Sequence, residues 1–259
     1  MLEQIFVTSN YMDEWKLYLY MNVLFIHLAL SKCFIQGRNI SDNILLAHEI
    51  LNVLKKKKGR KFNFGALKID MSKAYDKVNW NFLKAVLYVM KFDSKWINWI
   101  MECVSSMSYT LLVNGNLTTP FIPAQGLRQG DLLSPYLFLM FANILSISFL
   151  QADSLNRIKG VKIGRNGPSF TQLLFVDDSL LFFRKDKDSL ENIMKILNWY
   201  CKLSSQKINL SKSDLYCSPN MHESDLNSLD RLLQVNLVQN PSKYLGLDFK
   251  LRGNRVAGF

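Results

Sequence analysis

The segment LLFVDDSLLFF, residues 173–183, sets an apolar run on each side of Asp177 and Asp178. Runs this short and this apolar read as buried strands, and an acidic pair between them is turn chemistry. The segment therefore predicts a hairpin inside the core with two carboxylates at its tip. Adjacent carboxylates at the edge of a core repel each other and lose hydration, a cost that a divalent cation or proton uptake offsets. The alternative is a polar turn that holds nothing.

A second carboxylate has the same setting. NFGALKID, residues 63–70, is a short apolar strand ending in Asp70, followed by a polar break. Three carboxylates on neighbouring strand ends would hold two Mg²⁺ ions about 4 Å apart, the arrangement that serves phosphoryl transfer. Asp70 could instead cap the following helix, a task open to Ser72 as well, and spacing alone does not bring Asp70 to Asp177 and Asp178.

Around these segments, long helices alternate irregularly with strands. A helix is expected through DNILLAHEILNVLKKKK, capped by Ser41, with apolar Ile44, Leu45, Leu51 and Leu54 recurring at helical spacing and Gly59 as its stop. Further helices are expected through Trp80 to Met90, from Ser94, from an N-cap at Ser134 before Pro135, and from Asp188. The Ser134 helix, YLFLMFANILSISFL, is apolar on most of its circumference and should be central. Asn114-Gly115 between YTLLV and LTTPFI predicts a hairpin. Strands are expected in KGVKIG, INLSKSDLYC and KYLGLDF. This order points to an α+β fold on a mainly antiparallel sheet.

Composition bounds the function. The 259 residues carry 32 Lys+Arg against 21 Asp+Glu, a net +11 that favours a polyanionic partner. Lys55, Lys56, Lys57, Lys58, Arg60 and Lys61 form a basic run at a helix C-terminus, read either as a solvated face or as contact with a nucleic-acid backbone. The loop from Gln125 to Asp131 mixes glycines with Gln129 and Arg128. It is either a connector or a surface that approaches a base, sugar or phosphate. Cys33, Cys103, Cys201 and Cys217 have no metal or dense disulfide spacing and read as reduced thiols. The apolar stretch from Leu17 to Leu30 is short for a membrane span and follows acids rather than a basic leader, so no secretion signal or membrane partner is expected, and nucleus and cytoplasm both stay open as the compartment.

Taken in order, FIQGRNISDNILLAHEI, ALKIDMSKAYDKVNW, GLRQGDLLSPYLF, LLFVDDSLLFF, QKINLSKS and KYLGL resemble the reverse transcriptases of non-LTR (LINE-type) retrotransposons, especially plant copies. The resemblance covers residues 34–251, leaving 1–33 as an atypical, unassigned segment and 252–259 as a tail. It implies a right-hand polymerase with fingers and a mainly antiparallel palm sheet packed on helices, its thumb absent. It also implies RNA-directed DNA polymerase activity: transfer of a dNTP to a primer 3′-hydroxyl on an RNA template, with two Mg²⁺ ions for which Mn²⁺ could substitute.

By the same resemblance, Asp70, Asp177 and Asp178 are the catalytic metal ligands. Tyr75 is an aromatic gate against the ribose 2′-hydroxyl, Arg38 lies near the incoming triphosphate, and Gln129 and Gly130 shape the nascent base pair. Lys212 stands near the leaving pyrophosphate, and Tyr244, Leu245 and Gly246 form the primer grip. The sequence departs from the family at Val176, where Ala is usual, and at Leu132, where Pro is usual. Neither change removes a catalytic group. Two other functions are open: a retroelement relic that binds nucleic acid without synthesis, and a membrane-associated protein anchored by Leu17 to Leu30.

Overall fold

The computed structural model describes residues 40–56, 64–164, 167–175, 178–184, 186–219, 221, 229, 233–238, 243–244 and 247–248. The chain divides into two compact units. Among the described residues, one holds Lys73–Ile144 and Tyr200–Gln206; the other holds Leu145–Trp199 and the described parts of Ile35–Ser72 and Lys207–Phe259.

The second unit is built on a five-stranded sheet. Its central strand, β1 (Phe64–Asp70), is apolar along nearly its whole length because both of its faces are buried. Strands β6 (Gln172–Phe175) and β7 (Asp178–Arg184) pair antiparallel, and β7 pairs antiparallel with β1. On the other side of β1 lies β8 (Asp214–Cys217), antiparallel, and then β9 (Asn236–Val238), which runs parallel to β8. The sheet order is β6-β7-β1-β8-β9, mainly antiparallel as expected.

Helix α1 (Ile40–Lys56) contributes Ala47, Ile50, Leu51 and Leu54 to a core with Phe64, Ala66, Leu180, Phe182 and Tyr216. Leu45, one of the apolar residues at helical spacing, is 66% exposed: the inward stripe runs through Asn43, Ala47, Ile50, Leu51 and Leu54 instead. Ser41 lies inside the helix rather than capping it, and Gly59 falls outside the described residues.

In the first unit, α2 (Trp80–Val89) is capped by Asn79, whose side chain accepts from the Phe82 amide at 3.0 Å. Helix α3 (Ser94–Ser105) is capped by Asp93. The Asn114-Gly115 hairpin joins β2 (Leu112–Val113) to β3 (Asn116–Leu117), with Asn114 and Gly115 both at positive φ, as a tight turn of this type requires. An aromatic cluster of Phe82, Phe138, Phe141 and Tyr200 forms the core, with edge-on and stacked ring contacts. Burial in this cluster pushes the Tyr200 phenol far above its ordinary value.

Two further helices are described. In α4 (Ser134–Ser154), Ser134 is already helical, and the turn before it is made by the Asp131 carboxylate accepting from the Leu133 amide at 3.0 Å. This helix is long and apolar enough to cross a membrane, but 61% of its apolar window is buried, as a core helix requires. Helix α5 (Lys187–Ser204) starts before Asp188; Asp186 supplies the cap by accepting from the Ser189 amide at 2.8 Å.

The remaining expected strands are shorter. Val161–Lys162 (β4) pairs with Ser169–Phe170 (β5), and Lys243–Tyr244 (β10) with Leu247–Asp248 (β11). INLSKSDLYC is not one strand. Ile208 makes a single bridge to Met71, residues Leu210–Lys212 form a 3₁₀ turn, and only Asp214–Cys217 is extended in the sheet. Polar Asn209, Ser211 and Ser213 satisfy one another and the neighbouring backbone, which favours the turn.

Candidate active site

Asp70 is the last residue of β1 and Asp178 the first of β7, and the two are direct Cα partners in the antiparallel ladder. Such partners lie about 4.5–5.5 Å apart. Asp177, next to Asp178 in the chain, lies outside the described residues, as do Arg38, Lys57, Lys58, Arg60, Lys61, Leu245 and Gly246. Lys55 and Lys56 end α1, and Tyr244 is in β10.

The end of β1 is fixed from the β8 side. The Asp70 amide donates to Ser213 Oγ at 3.2 Å, Ser213 Oγ donates to the Asn209 carbonyl at 2.8 Å, and the Asn209 amide donates to the Asp70 carbonyl at 2.8 Å. Ser213 is completely buried. This closed set of bonds ties Asp70 to the 3₁₀ turn that carries Lys212, so the turn is anchored to the strand end that bears the carboxylate. Asn236 clamps the same turn, its amide to the Ser213 carbonyl at 3.1 Å and its side chain to the Ser211 carbonyl at 2.8 Å. Lys212 is exposed.

The first unit carries the other described positions. Tyr75 stacks its ring on Phe138 at 4.5 Å and 15°. Its carbonyl accepts from the Leu127 amide at 2.9 Å, joining it to the glycine loop. Gly126 has φ +99°, and a Cβ there would sit 2.9 Å from the Asp76 carbonyl oxygen. Its amide reaches the Val78 carbonyl and its carbonyl accepts from Trp80 Nε1 at 2.7 Å. The close approach that this glycine permits is therefore to the protein's own backbone. Gly130, at φ +86°, faces open space instead, and it and Gln129 are exposed. Leu132 is exposed too.

The oxygen donors suit a hard divalent cation: Asp70 and Asp178 are paired in register, with another carboxylate next in sequence. Among the described residues, no group of three acidic, His or Cys side chains forms a metal cluster. The sequence pointed to Lys212 alone in QKINLSKS. Asn209 and Ser213, which hold Asp70, and Gln206 were missed; the visible signal was a run of small polar residues around an apolar Ile-Asn-Leu.

Residues 26–249 match the family described as reverse transcriptase (RNA-dependent DNA polymerase). An uncharacterized 149 kDa protein of transposon TX1 from Xenopus laevis is 27% identical over 179 residues, 69% of this chain and 13% of that protein. A Pol polyprotein from the type-1 retrotransposable element R2 of Popillia japonica is 26% identical over 58% of this chain and 23% of that protein. An uncharacterized mitochondrial protein of Arabidopsis thaliana is 40% identical over 68 residues, 26% of this chain and 56% of its own length. The chain thus spans less than two thirds of each of these relatives. Candida tropicalis telomerase, in complex with a TWJ fragment of telomeric RNA, aligns with a TM-score of 0.54 at 17% identity, over 85% of this chain and 35% of that one. That likeness is one of fold, the right-hand polymerase.

Proposed function

Because the chain belongs to the reverse transcriptase (RNA-dependent DNA polymerase) family, with relatives in non-LTR retrotransposons, we propose that it works as the fingers and palm of an RNA-directed DNA polymerase. Residues 34–251 make up this part. Residues 1–33 and 252–259 flank it without an assigned role.

The observation that carries the reading is the register of β1 and β7, which pairs Asp70 with Asp178 at one end of a buried sheet. In the reaction a primer 3′-hydroxyl attacks the α-phosphate of a dNTP, the bond to the β-phosphate breaks and pyrophosphate leaves. Asp70, Asp177 and Asp178 would hold Mg²⁺, with Mn²⁺ as a substitute. When bound, the two ions neutralise phosphate charge and lower the pKa of the attacking hydroxyl.

The chain's other residues bind and orient. Lys212 meets the negative charge that builds on the leaving pyrophosphate, and Arg38 contacts the triphosphate. Tyr75 excludes the ribose 2′-hydroxyl. Gln129 and Gly130 are both exposed, a Cβ at Gly130 would meet nothing within 4 Å, and the pair lies along the nascent base pair. Tyr244, Leu245 and Gly246 grip the primer, while Lys55, Lys56, Lys57, Lys58, Arg60 and Lys61 contact template or primer phosphates. The fold shared with an RNA-bound telomerase supports an RNA template.

The test is incorporation of dNTP on an RNA template with a DNA primer, in Mg²⁺ and then Mn²⁺, beside the Asp177→Asn/Asp178→Asn variant. Synthesis that persists in the variant sinks the reading. The +11 net charge favours a second reading, a relic that binds nucleic acid only. It predicts RNA binding that falls steeply with salt and no synthesis in either metal.

A further inference from the structure

Gln206 is 3% exposed, yet it makes its side-chain contact with backbone rather than solvent: Nε2 donates to the Ala74 carbonyl at 2.9 Å. Its Oε1 is buried with no hydrogen-bond partner. Leaving a buried amide oxygen unpaired is costly, so burial of this side chain is explained by what its NH₂ does.

That NH₂ acts on a particular peptide. The Ala74 carbonyl and the Tyr75 amide share one rigid plane, so fixing the first fixes the second. The Tyr75 carbonyl, in the next plane, accepts from Leu127, and the ring lies against Phe138. Tyr75 is thus held on both flanking peptides and on its ring. The segment at the end of α5 that carries Gln206 also holds the far side of the turn: the Asn79 amide donates to the Ser204 carbonyl at 3.3 Å and Asn79 Nδ2 to Ser205 Oγ at 3.1 Å. The turn itself is strained, with Lys73 at φ +52°, and would relax if one clamp were removed.

We propose that Gln206 is a positioning residue that sets the choice between deoxynucleoside and ribonucleoside triphosphates by fixing the Ala74–Tyr75 peptide. This rests on the reading of Tyr75 as the gate against the 2′-hydroxyl. Exclusion by contact depends on placement to a fraction of an ångström, so loss of the Gln206 donor admits ribonucleotides while the carboxylates that drive the chemistry are untouched.

The experiment uses the full chain with Gln206→Met, which keeps length and removes the donor, and Gln206→Glu as a second variant of the same shape. Single-nucleotide incorporation of dNTP and rNTP is compared with wild type and Tyr75→Val. Expected is a rise of about tenfold in relative rNTP use, with dNTP kcat/KM changed much less, and no further rise when the substitution is added to Tyr75→Val. In parallel, hydrogen exchange should quicken at the Lys77 and Val78 amides, which bond within the turn, and not in α2. If Tyr75→Val loses discrimination and both Gln206 variants keep it, or if exchange in the turn is unchanged, the inference is overturned alone. If Tyr75→Val itself discriminates as wild type does, the gate reading falls and takes this inference with it. Should the chain not extend primers, the same ratio is read from dNTP and rNTP binding to its primer–template complex.

Discussion

Asp70 and Asp178, 108 positions apart in the chain, are direct partners across the β1–β7 ladder. The register that pairs them is pinned by buried residues along the same strands, Ala66 opposite Phe182 and Leu67 opposite Leu181. A slip of one residue would turn these side chains to the wrong faces, so the core that stabilises the sheet also aligns the acids.

Asp70→Asn keeps the shape of the side chain and removes one negative charge. Primer extension should fall by about 10³-fold while the thermal midpoint and circular dichroism stay near those of wild type. Activity within a fewfold of wild type would place the metal ligands elsewhere.

Ser213 connects Asp70 to the Lys212 turn through its hydroxyl. Ser213→Ala leaves the Asp70 amide without that acceptor and should lower unfolding free energy by about 1–3 kcal/mol, read by urea denaturation. Because the loss falls at the strand end, kcat should drop more than the KM for dNTP rises.

Gly65 lies in the middle of the sheet against a ring: a Cβ there would sit 2.6 Å from Phe183 Cζ. Phe183 is fully buried and cannot swing into solvent. Gly65→Ala is expected to cost about 1–3 kcal/mol through overpacking, and Gly65→Ala combined with Phe183→Leu should recover part of it. Equal midpoints for wild type and Gly65→Ala would refute the close packing.

His48 in α1 is held below its ordinary pKa of 6.5 by burial, which disfavours the charged ring. The unfolded chain therefore binds the proton first, so this contribution to stability is complete above pH 6.5 and is lost as pH falls through the lowered folded value. Replacing it by Gln should make the decline in thermal midpoint from pH 7 to pH 5 shallower. A slope identical to wild type would show that His48 takes no part.

Much of this was readable in the sequence where one local rule decides the outcome. Asn114-Gly115 specifies its turn by backbone conformation alone, and the apolar runs of β1 and β7 announce burial on both faces. The pairing of Asp70 with Asp178 was not readable, because register is set by tertiary packing and not by spacing along the chain. Leu45 misled because a helical stripe admits several phases, and only its partners choose one. The helix starts misled for a related reason: Asp186 and Ser134 lie close to equally suitable polar residues, and the chain path decides which becomes the cap. Gln206, Asn209 and Ser213 act through hydrogen bonds to backbone distant in sequence, a role that side-chain type does not encode.

The order of strands in the sheet has a further meaning for synthesis. Strand β1 sits in the middle, but its neighbours β7 and β8 come later in the chain: Phe64 waits for Arg184 and Gly65 for Cys217. At ordinary translation speeds that interval is on the order of ten seconds. During it a strand apolar on both faces has left the ribosome with both edges unpaired, the condition under which nascent chains aggregate or are taken up by chaperones. The acids therefore assemble only after β7 and β8 have followed β1 out of the ribosome.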